Sequence, residues 1–179
     1  MVETEIKLPI KLTVTAYLAL GSNLGDRQEN LKTAIDKLGG VAGIELISLS
    51  PLFETGHVGP PAPDHLNCAL EISTVLPPES LLFFCQQIEN DLGRDRDNEV
   101  RWGARTIDID ISLYDAIVLQ SPTLIIPHPR LCQRRFMLEP LAAIAGNVLI
   151  PGFNTSVKDV LMWPSNQKES VTRVEWVDD

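Results

Sequence analysis

Arg101-Trp102-Gly103-Ala104-Arg105-Thr106-Ile107-Asp108-Ile109-Asp110-Ile111 contains the strand around which the rest of the chain is arranged. Ile107, Ile109 and Ile111 alternate with Thr106, Asp108 and Asp110, the period of a strand with one buried face. Both aspartates therefore share a face, roughly 6–7 Å apart at two residue rises. Left bare, two carboxylates at that separation repel by roughly 2–3 kcal/mol at an effective dielectric of about 20. A cation between them removes that cost. Hard divalent ions such as Mg²⁺ take carboxylate oxygens and share them with substrate phosphates. Arg94, Arg96, Arg101 and Arg105 lie upstream of the pair in sequence, and arginine forks suit phosphate oxygens.

Taken alone, an Asp-x-Asp pair more often lies on a solvated strand face or pairs with nearby arginines than binds a metal. What distinguishes this one is the distribution of cations. Seven of the nine arginines fall between Arg94 and Arg135, and no lysine occurs between Lys37 and Lys158. A surface made only for solubility mixes the two types, whereas a phosphate site favours arginine. The chain of 179 residues has a net charge of −9, which argues against a general nucleic-acid binder and for a local anion site in an acidic protein. Its length suits one domain with a full core. Cys68, Cys85 and Cys132 have no zinc or C-x-x-C spacing and fit a reducing cytosol as small buried hydrophobes. With no apolar run of membrane-span length and no signal-type segment, a cytoplasmic protein is expected, with no membrane partner.

In chain order, residues 1–12 form an N-terminal extension, 13–163 the domain and 164–179 a polar, loosely held tail relieved by Trp176. Thr13 to Leu20 reads as a strand, and Gly21-Ser22-Asn23-Leu24-Gly25 turns it into a helix. That turn resembles a phosphate cradle but lacks the Gly-Lys-Ser/Thr ending of a P-loop, so a capped connection is the simpler reading. Asp26 and Glu29 have capping-box spacing, Leu31, Ala34, Ile35 and Leu38 supply the apolar stripe, and Gly39-Gly40 ends it. Ile44 to Ser50 is a second strand, extended past Pro51 by Phe53-Glu54-Thr55. A proline-rich loop over residues 56–64 leads to a third strand, His65 to Thr74. There Asn67 serves either a ligand edge or, more simply, the loop backbone.

Pro77-Pro78 opens a second helix with Leu81, Phe84, Cys85, Ile88 and Leu92 on its apolar face and Gly93 after it. A charged loop follows, in which Trp102 is either a core anchor or a lid over a flat ligand. The Asp108/Asp110 strand runs to Tyr114, with Ile117-Val118-Leu119 as a short return strand. Pro127-His128-Pro129 fixes the backbone at a histidine close to Arg130, Arg134 and Arg135. Phe136-Met137-Leu138 reads as core with one aromatic available to a ligand. Short helices are expected at Glu139 to Ala145, with Pro140 in its first turn, and at Ser156 to Leu161. The order β-α-β-β-α-β predicts an α+β fold: a ferredoxin-like core with an antiparallel sheet, helices packed on it, and C-terminal additions.

From about Thr15 to about Pro151 the chain resembles the 6-hydroxymethyl-7,8-dihydropterin pyrophosphokinase family of folate biosynthesis. The resemblance rests on Ala19 to Asp26, the Leu66-Asn67 pair, Glu89 through Arg94, the Arg101 to Asp110 motif, and Pro127-His128-Pro129 through Phe136. It implies transfer of pyrophosphate from ATP to the hydroxymethyl group of the pterin, with AMP released. Asp108 and Asp110 match the ligands of two Mg²⁺ ions. Arg96 and Arg105 match catalytic positions beside them. The nucleotide positions are Gln86, Glu89, Arg96, Arg101, Arg105, Ile111, His128 and Arg134; the pterin positions are Thr55, Val58, His65, Asn67, Trp102 and Phe136. A flat pterin needs aromatic stacking and amide-like hydrogen bonds, which Phe136 and Asn67 can supply. A monomer is expected.

Four features depart from the family pattern: Ala104 for proline, His65 for Tyr or Phe, Gly56-His57 for a more proline-like pair, and Thr123 for arginine. They bear on substrate affinity and leave the aspartates untouched. Two rival readings remain open. A Mg²⁺-dependent nucleotidyltransferase also uses paired aspartates and would release pyrophosphate. A non-enzymatic ferredoxin-like binding module would bind ligand without turnover, and leaves the arginines and aspartates unexplained.

Overall fold

Val14, Ala16, Leu18 and Leu20 alternate with Thr15, Tyr17, Ala19 and Gly21, and this two-sided pattern makes the first strand, β1 (Val14–Ser22), the middle of the molecule. The computed structural model describes residues 12–56, 63–94 and 105–177. After β1 come α1 (Arg27–Gly39), β2 (Ile44–Leu49), β3 (Leu52–Thr55), β4 (His65–Thr74), α2 (Pro78–Asp91) and β5 (Asp108–Tyr114). The remainder is β6 (Leu119–Gln120), β7 (Ile125–Ile126), α3 (Arg135–Ala145), β8 (Leu149–Ile150), β9 (Thr155–Ser156), α4 (Val157–Leu161) and β10 (Val171–Val174). The main sheet runs β10-β3-β4-β1-β5, and β2 also pairs with β4. All of its pairings are antiparallel. Residues 1–11, 57–62, 95–104 and 178–179 lie outside the described set, and with them the expected N-terminal extension and the site positions Val58, Arg96, Arg101 and Trp102.

β1 lies between β4 and β5, with β2 and β3 on the far side of β4, which is the ferredoxin-like order expected. The even-numbered residues of β1 face α1 and α2. Leu18, Leu20, Leu31, Leu38, Ile72, Leu81, Ile109 and Ile111 are buried together there. Each such side chain contributes about 1.5–3 kcal/mol of burial. The opposite face carries Tyr17, Ala69 and Leu113, covered by α3 and α4 through Met137, Leu138, Leu141, Val157 and Val160.

α1 starts where expected: Asp26 Oδ1 accepts from the Glu29 N–H at 3.1 Å. Only half of the capping box forms, because the Glu29 carboxylate takes the Thr33 hydroxyl at 3.3 Å instead. α2 buries Leu81, Cys85 and Ile88, and also Glu89, which is fully inaccessible on an otherwise apolar face.

Four elements differ from the sequence expectation. Pro51 separates β3 from β2, so residues 52–55 pair with β4 as a strand of their own. The expected Ile117-Val118-Leu119 return strand is shifted to Leu119–Gln120, which pairs with Ile125–Ile126. α3 begins at Arg135, four residues before Glu139, which puts Pro140 inside the helix and not in its first turn. The supposedly loose tail contains β10, which covers the free edge of β3. Trp176 Nε1 donates to the Ser50 carbonyl at 3.0 Å and holds the segment down.

β5 holds one further feature. Its register against β1 shifts between Tyr17 and Leu18, so Ser112 is an extra residue, a β-bulge. Before the bulge Asp108 and Asp110 face the α3 side; after it Leu113 does, and packs against α3 and α4. The bulge lets one short strand present two carboxylates and then a core leucine to the same layer.

Candidate active site

The floor of the site is set by register. Across the sheet, Asp108 sits opposite Gly21, Gly21 opposite Asn67, and Asn67 opposite Phe53; one step along, Asp110 sits opposite Ala19 and Ala19 opposite Ala69. Small residues in the middle strand leave a trough between the aspartates and the asparagine. At Gly21 a Cβ would stand 2.9 Å from Asn67 Oδ1, closer than side chains tolerate. Asn67 is 5% exposed and donates from Nδ2 to Thr55 Oγ1 at 3.0 Å and to the Phe53 carbonyl at 3.4 Å. It thus meets the neighbouring strand and also opens on the trough.

Above this floor is a cavity of about 840 Å³ lined by Gly21, Asn23, Thr55, His65, Asn67, Arg94, Arg105, Asp108, Asp110, His128, Arg134 and Phe136, among others. That volume is ample for a small-molecule ligand. A second hollow of about 550 Å³ beside Gly25 and Glu175 is more open, and its Arg27 is already paired with Glu54 at 2.8 Å.

The two aspartates occupy different electrostatic environments. Asp108 accepts from Arg94 Nη1 at 2.5 Å and from Arg105 Nη1 at 2.9 Å. Burial pushes its pKa up, but the two guanidiniums outweigh burial and hold it below the usual carboxylate value. Asp110 is pushed up to about 7 by burial and by the charges of Asp108 and Glu89. His128 is lowered to about 4 by burial and by Arg134 and Arg130. It is therefore neutral at pH 7. Its Nδ1 accepts from the Arg130 N–H at 3.2 Å, so the proton lies on Nε2, which is 3.8 Å from Asp110 Oδ2.

Behind the aspartates stands a buried support. Glu89 accepts from Arg94 Nη1 at 2.6 Å and from the Ile109 N–H at 2.7 Å. It satisfies an edge-strand donor of β5 and anchors the arginine that grips Asp108. Removing one partner of such a buried pair typically costs about 3–5 kcal/mol. On the outer edge of the same strand the bulged Ser112 carbonyl accepts from the His128 N–H at 3.0 Å, so the bulge also seats the histidine. Asn23, fully buried, closes the rim: its N–H donates to the Arg105 carbonyl at 3.1 Å and its Oδ1 accepts from the Arg105 N–H at 2.6 Å. On the other side Arg134 lies over the Phe136 ring, 5.3 Å from its centroid.

The structure thus gathers Thr55, His65, Asn67, Arg105, Asp108, Asp110, His128, Arg134 and Phe136 around one cavity. Glu89 sits behind it. Gln86 is half-buried on α2 and does not line it, and the Ile111 side chain belongs to the α1/α2 core. Sequence reasoning passed over Arg94 as one member of an arginine run and Asn23 as a turn residue. The partner of Asn23, Arg105, is 82 residues away in sequence. Nothing local could have paired Arg94 with Asp108.

The family model described as 7,8-dihydro-6-hydroxymethylpterin-pyrophosphokinase (HPPK) matches residues 17–146. A 2-amino-4-hydroxy-6-hydroxymethyldihydropteridine pyrophosphokinase from Bacillus subtilis (strain 168) is 47% identical over 134 residues, 74% of this chain and 79% of that protein. One from Haemophilus influenzae is 39% identical over 139 residues, 77% of this chain and 86% of that protein. The folic acid synthesis protein fol1 of Schizosaccharomyces pombe is 38% identical over 147 residues, and there the chain spans only 20% of the longer protein. A crystal structure of HPPK-DHPS in complex with substrates superposes with a TM-score of 0.66 at 12% identity, covering 83% of this chain and 42% of that one. A likeness at that identity speaks for the fold.

Proposed function

The chain belongs to the 7,8-dihydro-6-hydroxymethylpterin-pyrophosphokinase family, and we propose that the cavity over Asp108 and Asp110 is where its reaction takes place. The protein transfers pyrophosphate from ATP to the hydroxymethyl group of 6-hydroxymethyl-7,8-dihydropterin and releases AMP, a step of folate biosynthesis. The observation that carries the siting is the carboxylate pair, set between a cationic half and an aromatic-amide half of one trough.

Asp108 and Asp110 fit a Mg²⁺ site. They are hard oxygen donors on one face, and Asp110 is held protonated up to about pH 7 by burial and by neighbouring carboxylates, a tension that a cation relieves. The two aspartates would hold the magnesium, two ions in the family pattern, and the bound metal would supply neutralisation of phosphate charge. Arg105 and Arg134 flank the pair and supply forks for the phosphates, and neutral His128 offers a donor from Nε2 beside Asp110. Asn67, anchored by Thr55, offers amide hydrogen bonds to a heterocycle edge, while Phe136 offers a stacking face. Glu89 acts indirectly by fixing Arg94 and the start of β5. Phosphoryl-type transfer rests mainly on positioning and charge neutralisation, and this arrangement supplies both.

Product analysis tests the reading. With Mg²⁺, ATP and 6-hydroxymethyl-7,8-dihydropterin, AMP and a pyrophosphorylated pterin are expected only when both substrates are present. ADP would mean single phosphoryl transfer, free pyrophosphate would mean nucleotidyl transfer, and ATP binding without turnover would favour a binding module.

A further inference from the structure

The family match ends at residue 146, yet part of the cavity wall comes from beyond it: Lys168, Glu169 and Ser170 line the same trough as Asp108 and Phe136. The segment reaches there on a buried anchor. Asn166, 1% exposed, donates from Nδ2 to the Val160 carbonyl at 2.8 Å and to the Cys132 carbonyl at 3.1 Å, which ties it to the turn preceding α3. Beyond it, β10 pairs with β3 and fixes the other end.

Between these two anchors, Glu169 meets the N-terminus of α3. That helix has no side-chain cap of its own, since its N-cap position is Arg134. Glu169 Oε2 accepts from the Phe136 N–H at 3.4 Å, one of the first-turn donors that an N-cap side chain ordinarily takes. The Glu169 carbonyl also accepts from Arg135 Nη1 at 3.3 Å, and Arg135 is held by Glu139 at 2.6 Å. A carboxylate at a helix N-terminus is favoured by the dipole as well. The first turn so held carries Phe136, with Arg134 packed on its ring.

We propose that Glu169 is a positioning residue for substrate binding: it caps α3 from the C-terminal segment and thereby sets Phe136 against the pterin. This rests on the siting proposed above. Because Glu169 acts through Phe136, its removal affects pterin binding before chemistry. Steady-state kinetics on the full chain tests it, with both substrates varied. Glu169→Ala is expected to raise the pterin KM about fivefold, with kcat within about twofold. Glu169→Gln, which keeps an acceptor oxygen, is expected to return KM to within about twofold of the parent. A purely structural role would lower kcat through loss of active enzyme and leave KM alone. An unchanged pterin KM in Glu169→Ala, a loss confined to kcat, or an equal defect in Glu169→Gln overturns the proposal. Phe136→Ala is run alongside. If it raises the pterin KM while Glu169→Ala does not, the proposal alone fails; if Phe136→Ala leaves it unchanged, the siting fails as well.

Discussion

The two faces of β1 are made by the same nine residues and do opposite work. On one, Leu18 and Leu20 meet Leu31, Ile72 and Leu81 in a closed apolar layer, beside which the buried Glu89 is paired with Arg94. On the other, Ala19 and Gly21 give up side-chain volume so that charge and space can be placed above them. Towards the end of the strand, parity assigns a residue to the core or to the trough, whereas Tyr17, of the trough's parity, still packs under α3 and α4. Stability is concentrated where packing is dense, and the site occupies ground that the core does not need. The cost falls on Asp110, whose carboxylate is crowded by those of Asp108 and Glu89.

This division can be broken at measurable points. Leu18→Ala, on the packed face, is expected to lose about 2–5 kcal/mol of stability while the folded fraction keeps its kcat and KM. Denaturant unfolding with parallel kinetics checks it, and a selective loss of kcat would mean that the faces are coupled. Asp110→Ala, on the open face, is expected to lower turnover by about 10²–10³-fold with no fall in Tm. Near-normal turnover in that variant would remove the metal assignment. Gly21→Ala sits on the boundary. Its new methyl would press on Asn67, so the pterin KM is expected to rise about tenfold while ATP affinity holds.

The smallest effect is in the pH dependence. The folded value of Asp110, about 7, exceeds its ordinary 3.8, so its ionisation opposes folding. Stability from this group is full below about pH 4 and is lost as pH rises toward 7. Its side chain is 40% exposed, so solvent screening limits the loss to about 1 kcal/mol or less. Metal-free parent and Asp110→Asn should thus have Tm values that diverge between pH 4 and 7, with the variant higher at pH 7. Parallel curves would mean that the carboxylates are not strained.

Much of this was legible in the sequence where one element suffices to define a feature. The alternation of Ile107 to Ile111 placed both aspartates on one face, and Asp26 marked the start of α1. The Leu31, Ala34, Ile35, Leu38 stripe is the buried stripe. What escaped depends on partners distant in the chain. Val171–Val174 is too short and too polar to declare itself a strand, and only pairing with β3 makes it one. The Ser112 bulge exists because β5 must match β1, which no run of five residues reveals. The early start of α3 was hidden because Phe136-Met137-Leu138 read as core without a helix start, and the acceptor for its first turn is 33 residues away.

The central position of β1 bears on the order in which the molecule can assemble. Among the described residues it is the first strand to be synthesised, yet its neighbours are residues 66–74 on one side and 108–114 on the other. Neither edge can close through a local hairpin: the nearest pairs, Ser22 with Leu66 and Gly21 with Asp108, are far apart in sequence, and such non-local contacts are slow to form. During synthesis the chain carries an unpaired apolar strand until β4 emerges, and a half-paired one until β5 follows. The aspartates arrive with that second partner. The floor of the trough is therefore complete only once β1 is paired on both sides, and a partly folded chain lacks it.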